Sequence, residues 1–164
     1  MRIGHTNKCK SPRVRSIGVP TNHAQEGADY DENIARLKQW IDIAAKMGVP
    51  MVRTFGGWHR PGMPSEEETI ERIIGSIKVC AAYAAEKKVL IGLHNHNHGQ
   101  IPSTGAQALK ILDGVASPYF VGLMDTGQWH GSPGIGEGPE GNEEGTERGT
   151  VDAKFDYMAS IRMW

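Results

Sequence analysis

Apolar positions recur along this chain in two alternating rhythms. Mainly apolar segments occupy residues 16–19, 49–55, 89–93 and 119–124, of which 89–93 is a continuous apolar run. Such runs have the length and character of strands covered on both faces. Between them, apolar residues return every three or four positions, the repeat of one helix face. Ile34, Leu37, Ile41, Ala44 and Ala45 predict a helix over residues 29–47, with Asp29 or Asp31 as its cap and Gly48 as its stop. Ile70, Ile73, Ile74, Ile77, Ala81 and Ala84 predict a longer helix beginning at Ser65, where Ser65 and Glu68 have capping-box spacing. Three glutamates at its start and Lys87 and Lys88 near its end suit the helix dipole. A shorter helix is expected over residues 104–112, capped by Ser103, and helical character over 152–161, with Phe155, Met158 and Ala159 as apolar contacts.

Residues 1–15 carry neither rhythm and are read as an irregular segment; residues 16–164 are read as one domain. Residues 58–64 read as a loop, and the Gly-rich, acidic stretch 127–149 as a long one. Strand and helix alternate four times, which predicts an α/β fold with a parallel sheet and helical crossovers. A doubly wound open sheet and a (β/α)₈ barrel both satisfy that order, and in both the functional groups gather at the carboxyl ends of the strands. Polar residues stand at those ends here: Asn22, Arg53, His94 and Asp125.

Composition narrows the function. A net charge of -1 over 164 residues gives no basic surface for nucleic acid or anionic lipid. No apolar run approaches the roughly 20 residues of a membrane span. The basic start lacks the apolar stretch of a secretory signal, so a cytoplasmic location is expected. Cys9 and Cys80 lie too far apart to form a metal-type pair; Cys80 falls in a helical apolar pattern and is expected in the core, while Cys9 sits in a polar segment. Gly134-x-Gly136 does not follow a strand and makes a poor phosphate loop.

The densest chemistry is His94-x-His96-x-His98. In extended backbone alternate side chains share a face, so three imidazoles would point one way. They suit a transition-metal site, or serve as loop histidines that hydrogen-bond to other groups. Asp125 ends an apolar strand before a Thr-Gly turn; it is either a cation ligand or an Asx-turn residue. Arg53 lies within an apolar strand, where an unpaired charge is costly. It is expected to pair with a carboxylate such as Asp125 or to bind an anionic substrate group. Trp58, His59, Gln128, Trp129 and His130 fall in loops at the same end, where the aromatics either stack on a sugar or roof the core. No Ser-His-Asp set and no nucleophile elbow is present in the pattern, and no residue is assigned as the catalytic base.

Residues 52–57 (Val-Arg-Thr-Phe-Gly-Gly), 93–96 (Leu-His-Asn-His) and 123–127 (Leu-Met-Asp-Thr-Gly) resemble successive strand ends of the xylose isomerase-like TIM-barrel superfamily. That superfamily includes sugar-phosphate isomerases and epimerases, ketose 3-epimerases and endonuclease IV. Residues 129–134 resemble a loop of its sugar-phosphate isomerase branch. The four runs resemble the third to sixth strands of the barrel, so the chain reads as a partial barrel of about four βα units, with the first two and last two strands missing. A whole barrel takes about 250 residues. The resemblance implies a divalent metal (Mn²⁺, Mg²⁺, Co²⁺ or Zn²⁺) and a sugar or sugar-phosphate substrate. It also implies isomerisation or epimerisation through an enediolate, with proton removal beside a carbonyl and the metal stabilising the oxyanion.

Of the family's metal ligands, Asp125 matches the Asp after the sixth strand. His94 stands in place of the Glu after the fifth, and the later His and Glu have no counterpart. Where the epimerases often carry a His three residues beyond the Asp, this chain has Gln128. On the resemblance, His94 and Asp125 are candidate metal ligands, and Arg53, Trp58, His96, His98, Gln128 and Trp129 candidate substrate contacts. Four strands leave two open edges, which predicts a homodimer or higher oligomer in which two copies complete one barrel. The competing expectation is a non-catalytic fragment that keeps the fold and self-associates; a nuclease like endonuclease IV fits least, since the chain is not basic.

Overall fold

The computed structural model describes residues 13–97, 99–130 and 157–163. The elements are β1 (Ile17–Gly18), α1 (Gly27–Met47), β2 (Met51–Phe55), β3 (Gly57–Trp58), α2 (Glu66–Lys87), β4 (Leu90–His94), β5 (Gln100–Ile101), α3 (Gly105–Val115), β6 (Phe120–Leu123) and α4 (Tyr157–Met163). Four strands form a parallel sheet in the order β1-β2-β4-β6, and β3 pairs antiparallel with β5. Each crossover advances to the next position, so the helices line up on one face, α1 against α2, α2 against α3 and α3 against α4. This is the arrangement of a partial (β/α)₈ barrel.

The expected stripes of α1 and α2 are the ones that pack. Leu37, Ile41 and Ala44 from α1 join Ile70, Ile73, Ile74, Ile77, Ala81 and Ala84 from α2 in one core. Val52, Ile91, Leu93 and Phe120 meet them from the sheet. Cys80 lies in this core as expected, and burial pushes its thiol up to about 12, which keeps it protonated and unreactive. The Ser65–Glu68 capping box forms in both directions at α2.

Several boundaries differ from the expectation. Helix α1 starts at Gly27 after Glu26, so Asp29 lies in its first turn, where its charge meets the dipole. Helix α3 is capped by Thr104 with Gln107 as the reciprocal partner, and runs on to Val115. Ser103 instead donates its amide to Gln107 Oε1. The expected loop at 58–64 begins inside β3, a two-residue strand too short to show any periodicity. Phe155 and the Gly-rich stretch from residue 131 lie outside the described residues, as does Cys9. Met158 is 41% exposed and is not a core contact. Helix α4 instead approaches α3 closely at Gly105, whose amide donates to Ser160 Oγ at 2.9 Å.

Register decides which strand residues face where. Val52 aligns with Ile91 and Thr54 with Leu93, and all four are fully buried beneath the helices. The alternate set faces away from the helices: Gly18 beside Arg53, Arg53 beside Gly92, Phe55 beside His94, His94 beside Leu123. On this face Met51, Arg53, Phe55, Leu90, Val121 and Leu123 are half-buried. The face would line the interior of a closed barrel.

Candidate functional site at the strand ends

His94 is the last residue of β4, and Asp125 follows β6, its neighbour in the sheet. Parallel pairing brings their side chains together: His94 Nε2 stands 3.5 Å from Asp125 Oδ2. Asp125 is held from three sides. Its amide donates to Asn95 Oδ1 at 2.7 Å, and its carbonyl accepts from Asn95 Nδ2 at 2.8 Å. Its other carboxylate oxygen, Oδ1, accepts from the Gly127 amide at 3.0 Å. Oδ1 therefore makes the Asx turn, while Oδ2 faces the cleft. The spacing along the chain assigns no role to Asn95, which is fully buried. Its signal was a buried-type position between two histidines, on the opposite side of the chain from them.

The cleft beside this pair measures about 480 Å³ and is lined by Ser16, Gly18, Arg53, His94, Asp125 and Thr126, among others. Arg53 has no carboxylate partner among the described residues. Its guanidinium lies 4.9 Å from the centroid of Phe55 and across Gly18, where a Cβ would stand 2.9 Å from a guanidinium nitrogen. It is therefore held by ring and backbone contacts, and its charge faces the cleft.

Burial lowers the basicity of His94, and the Arg53 charge lowers it further; the Asp125 carboxylate opposes both. The result favours neutral imidazole, the form with a lone pair to give. His94 Nδ1 is buried without a hydrogen-bond partner. His96 shares the face as expected. Its ring lies 6.3 Å from that of His94, and both meet Phe55 edge-on, at 5.8 and 5.2 Å respectively. His96 Nδ1 is already engaged with the Asn97 carbonyl at 2.9 Å. His98 lies outside the described residues.

The remaining candidates are dispersed. Trp58 lines a separate and larger cleft of about 640 Å³ with Asn22, Arg60 and Arg72. That cavity is away from the His94–Asp125 pair, and size alone does not make it the chemical centre. His59 and His130 border a third cleft at the start of α3. Trp129 is completely buried, which is the core-roofing alternative for this ring. Gln128 caps the turn, its amide donating to the Asp125 carbonyl at 3.2 Å, and its side-chain oxygen is buried without a partner.

The pair fits a divalent ion in kind and in spacing. Metal–ligand bonds of about 2.1 Å at tetrahedral angles put two donors roughly 3.4 Å apart. The observed 3.5 Å is also long for a hydrogen bond. The number of donors falls short: among the described residues no third His, Cys, Asp or Glu joins them. Two donors fall short of the three protein ligands that a catalytic metal site ordinarily takes.

Residues 13–159 match the model of a family described as a xylose isomerase-like TIM barrel. Among curated protein sequences, none matches. Solved structures with the same fold include an L-ribulose 3-epimerase, at 20% identity and a TM-score of 0.59, covering 68% of this chain and 40% of that one. They also include a D-tagatose 3-epimerase-like protein, at 17% identity and 0.64, covering 69% and 45%. A third is the probable 3-DHS dehydratase AsbF from Bacillus anthracis, at 18% and 0.62, covering 74% and 43%. The chain thus spans less than half the length of each of these structures.

Proposed function

Because the chain belongs to the xylose isomerase-like TIM-barrel family, we propose that it acts as a metal-dependent isomerase or epimerase on a sugar or sugar phosphate. The observation that carries this reading is the convergence of His94 and Asp125, from adjacent strand ends, on a cleft that also presents Arg53. In this reading Arg53 holds an anionic group, either a phosphate ester or the enediolate oxygen. His96 and Gln128 border the sugar, and Asn95 keeps the Asp125 carboxylate in place. A divalent ion held through His94 and Asp125 would polarise the substrate carbonyl. His98 and Trp58 remain proposed sugar contacts, Trp58 from its own cleft, while the buried Trp129 roofs the core.

The protein is proposed to work as a homodimer in the cytoplasm. Supporting this are β1 and β6, each with a neighbour on one side only among the described residues. No described helix is long and apolar enough to cross a membrane.

The test is exchange of the proton beside the carbonyl. Protein loaded with Mn²⁺, Co²⁺ or Zn²⁺ is incubated in D₂O with ketohexoses, ketopentoses and their phosphates, and followed by NMR. Deuterium incorporation with epimer formation, reduced more than about a hundredfold in Asp125→Ala and His94→Ala, is expected, since the ion that would polarise the carbonyl is held through these two side chains and such polarisation contributes several kcal/mol. Absence of exchange over the whole panel would instead support a non-catalytic barrel fragment. That second reading is favoured by one specific observation, a donor set that stops at two among the described residues.

A further inference from the structure

We propose that the cleft at the start of α3 is a second ligand site, one that takes a neutral polyhydroxyl group such as the sugar ring of a glycoside. It is separate from the His94–Asp125 cleft and would stand even if that cleft proved inert. Its walls come from the loop between β3 and α2, from β5 and from the first turn of α3, and it encloses about 530 Å³. That size is ordinary for a small-molecule site.

A buried acceptor there has nothing to accept from. Gln100 lines the cleft and is only 8% exposed, and its Oε1 has no hydrogen-bond partner among the described residues. Buried polar atoms in native folds are paired, so this oxygen calls for a donor that the described chain does not supply. The pairing of β5 with β3 fixes the backbone from which it projects.

A donor group in the same cleft is held in place with nothing to give to. Gln107 Oε1 accepts from the Ser103 amide at 2.8 Å, the Thr104 amide at 3.2 Å and the Ser103 hydroxyl at 3.3 Å. These bonds fix the carboxamide, and no described residue accepts from its NH₂ group. From the β3–α2 loop, His59 Nε2 donates to the Pro64 carbonyl at 2.9 Å, which leaves the lone pair of the neutral ring on Nδ1. Among the described residues of the lining there is one carboxylate, Glu66, and no Lys or Arg.

Together these groups select a chemistry. Gln100 Oε1 and His59 Nδ1 take a proton donor, while the Gln107 NH₂ takes a lone pair. An ionised phosphate or carboxylate only accepts, and would meet the Glu66 charge. An ammonium only donates. A hydroxyl does both, and a sugar ring carries several around its edge, which suits open groups contributed by separate elements. A carboxamide does both only along a single edge.

The test is titration of the isotope-labelled full chain with the methyl glycosides of glucose, galactose, mannose and xylose, followed by two-dimensional NMR. These probes carry no free carbonyl, so the chemistry proposed for the strand ends cannot act on them. At least one should give saturable shifts of the Gln100 and Gln107 side-chain amide signals, while sulfate and acetamide at equal concentration give none. Gln107→Glu keeps an acceptor for the α3 cap but loses the NH₂ group, and Gln100→Met is close in shape but accepts nothing. Each should weaken binding by about fivefold or more, the scale of one neutral hydrogen bond. Asp125→Asn, in the other cleft, should leave the affinity unchanged. Gln100→Met should also hold or raise the urea midpoint, because it removes an unsatisfied buried acceptor. A midpoint lowered by that change would mean that Oε1 is already paired within the fold, and would overturn the proposal. Acetamide shifts without glycoside shifts would make the ligand an amide and overturn it as well. Binding lost in Asp125→Asn, or untouched by both glutamine variants, would place the sugar elsewhere. No saturable shift with any glycoside would overturn the second site, whatever sugar turnover the strand-end cleft shows.

Discussion

Acidification should weaken this fold through one buried imidazole that plays no part in the proposed chemistry. His23 follows β1 and is fully buried, with Nδ1 2.6 Å from Ser76 Oγ of α2 and Nε2 3.2 Å from Thr54 Oγ1 of β2. Thr54 Oγ1 in turn lies 2.5 Å from Thr21 Oγ1. Hydroxyls donate or accept as required, so the network serves the neutral ring. Burial alone lowers the His23 pKa from 6.5 to about 4.

The folded pKa is below the unfolded one, so the unfolded chain binds the proton first. Stability from the neutral ring is complete above the unfolded value. It is lost as pH falls from 6.5 towards 4 and changes no further below that. Between pH 7 and 4.5 the loss integrates to about 2 kcal/mol at roughly 1.4 kcal/mol per pKa unit. With a urea slope of about 2 kcal/mol/M, the midpoint should fall by roughly 1 M. Urea titrations followed by circular dichroism at the two pH values measure this in the wild type and in His23→Gln, which does not titrate. His94 shifts in the same direction and is common to both proteins, so their difference isolates His23. Equal losses in the two proteins would refute the assignment.

Other outcomes follow from specific contacts. A Cβ at Gly56 would fall on the Ile101 carbonyl oxygen, so Gly56→Ala should cost about 2–4 kcal/mol in denaturant unfolding by forcing β5 away from β3. Asn95→Leu removes both hydrogen bonds to the Asp125 backbone and should cost about 2 kcal/mol, with faster hydrogen exchange at the Asp125 amide as the local sign. Ser65→Ala deletes the hydroxyl half of the α2 capping box and should cost about 1 kcal/mol by urea unfolding, with no change at the strand-end cleft.

The helices and strands were legible because burial imposes a period on the residues that undergo it. The stripe from Ile70 to Ala84 could face only one way, and it is the stripe that packs. The same logic marked His94 and Asp125, polar residues ending apolar runs. Short or reciprocal features escaped. Strand β3 has two residues and no period, and Thr104 displaced Ser103 as the α3 cap because the choice turns on which hydroxyl faces the first free amides. Met158 looked like core but lies exposed. Trp58 and the His94 pair belong to different clefts, a separation invisible to spacing along the chain.

By itself, then, the sequence determined the βα alternation, the core stripes and the strand ends where chemistry would gather, since periodicity and termination are local properties. Tertiary structure decided the rest. Only the register of β4 against β6 could set His94 beside Asp125, and only three-dimensional packing could bury His23 between two elements and lay Arg53 over Phe55. Those contacts join residues 30 or more positions apart or depend on side-chain direction, and no pattern along one dimension contains them.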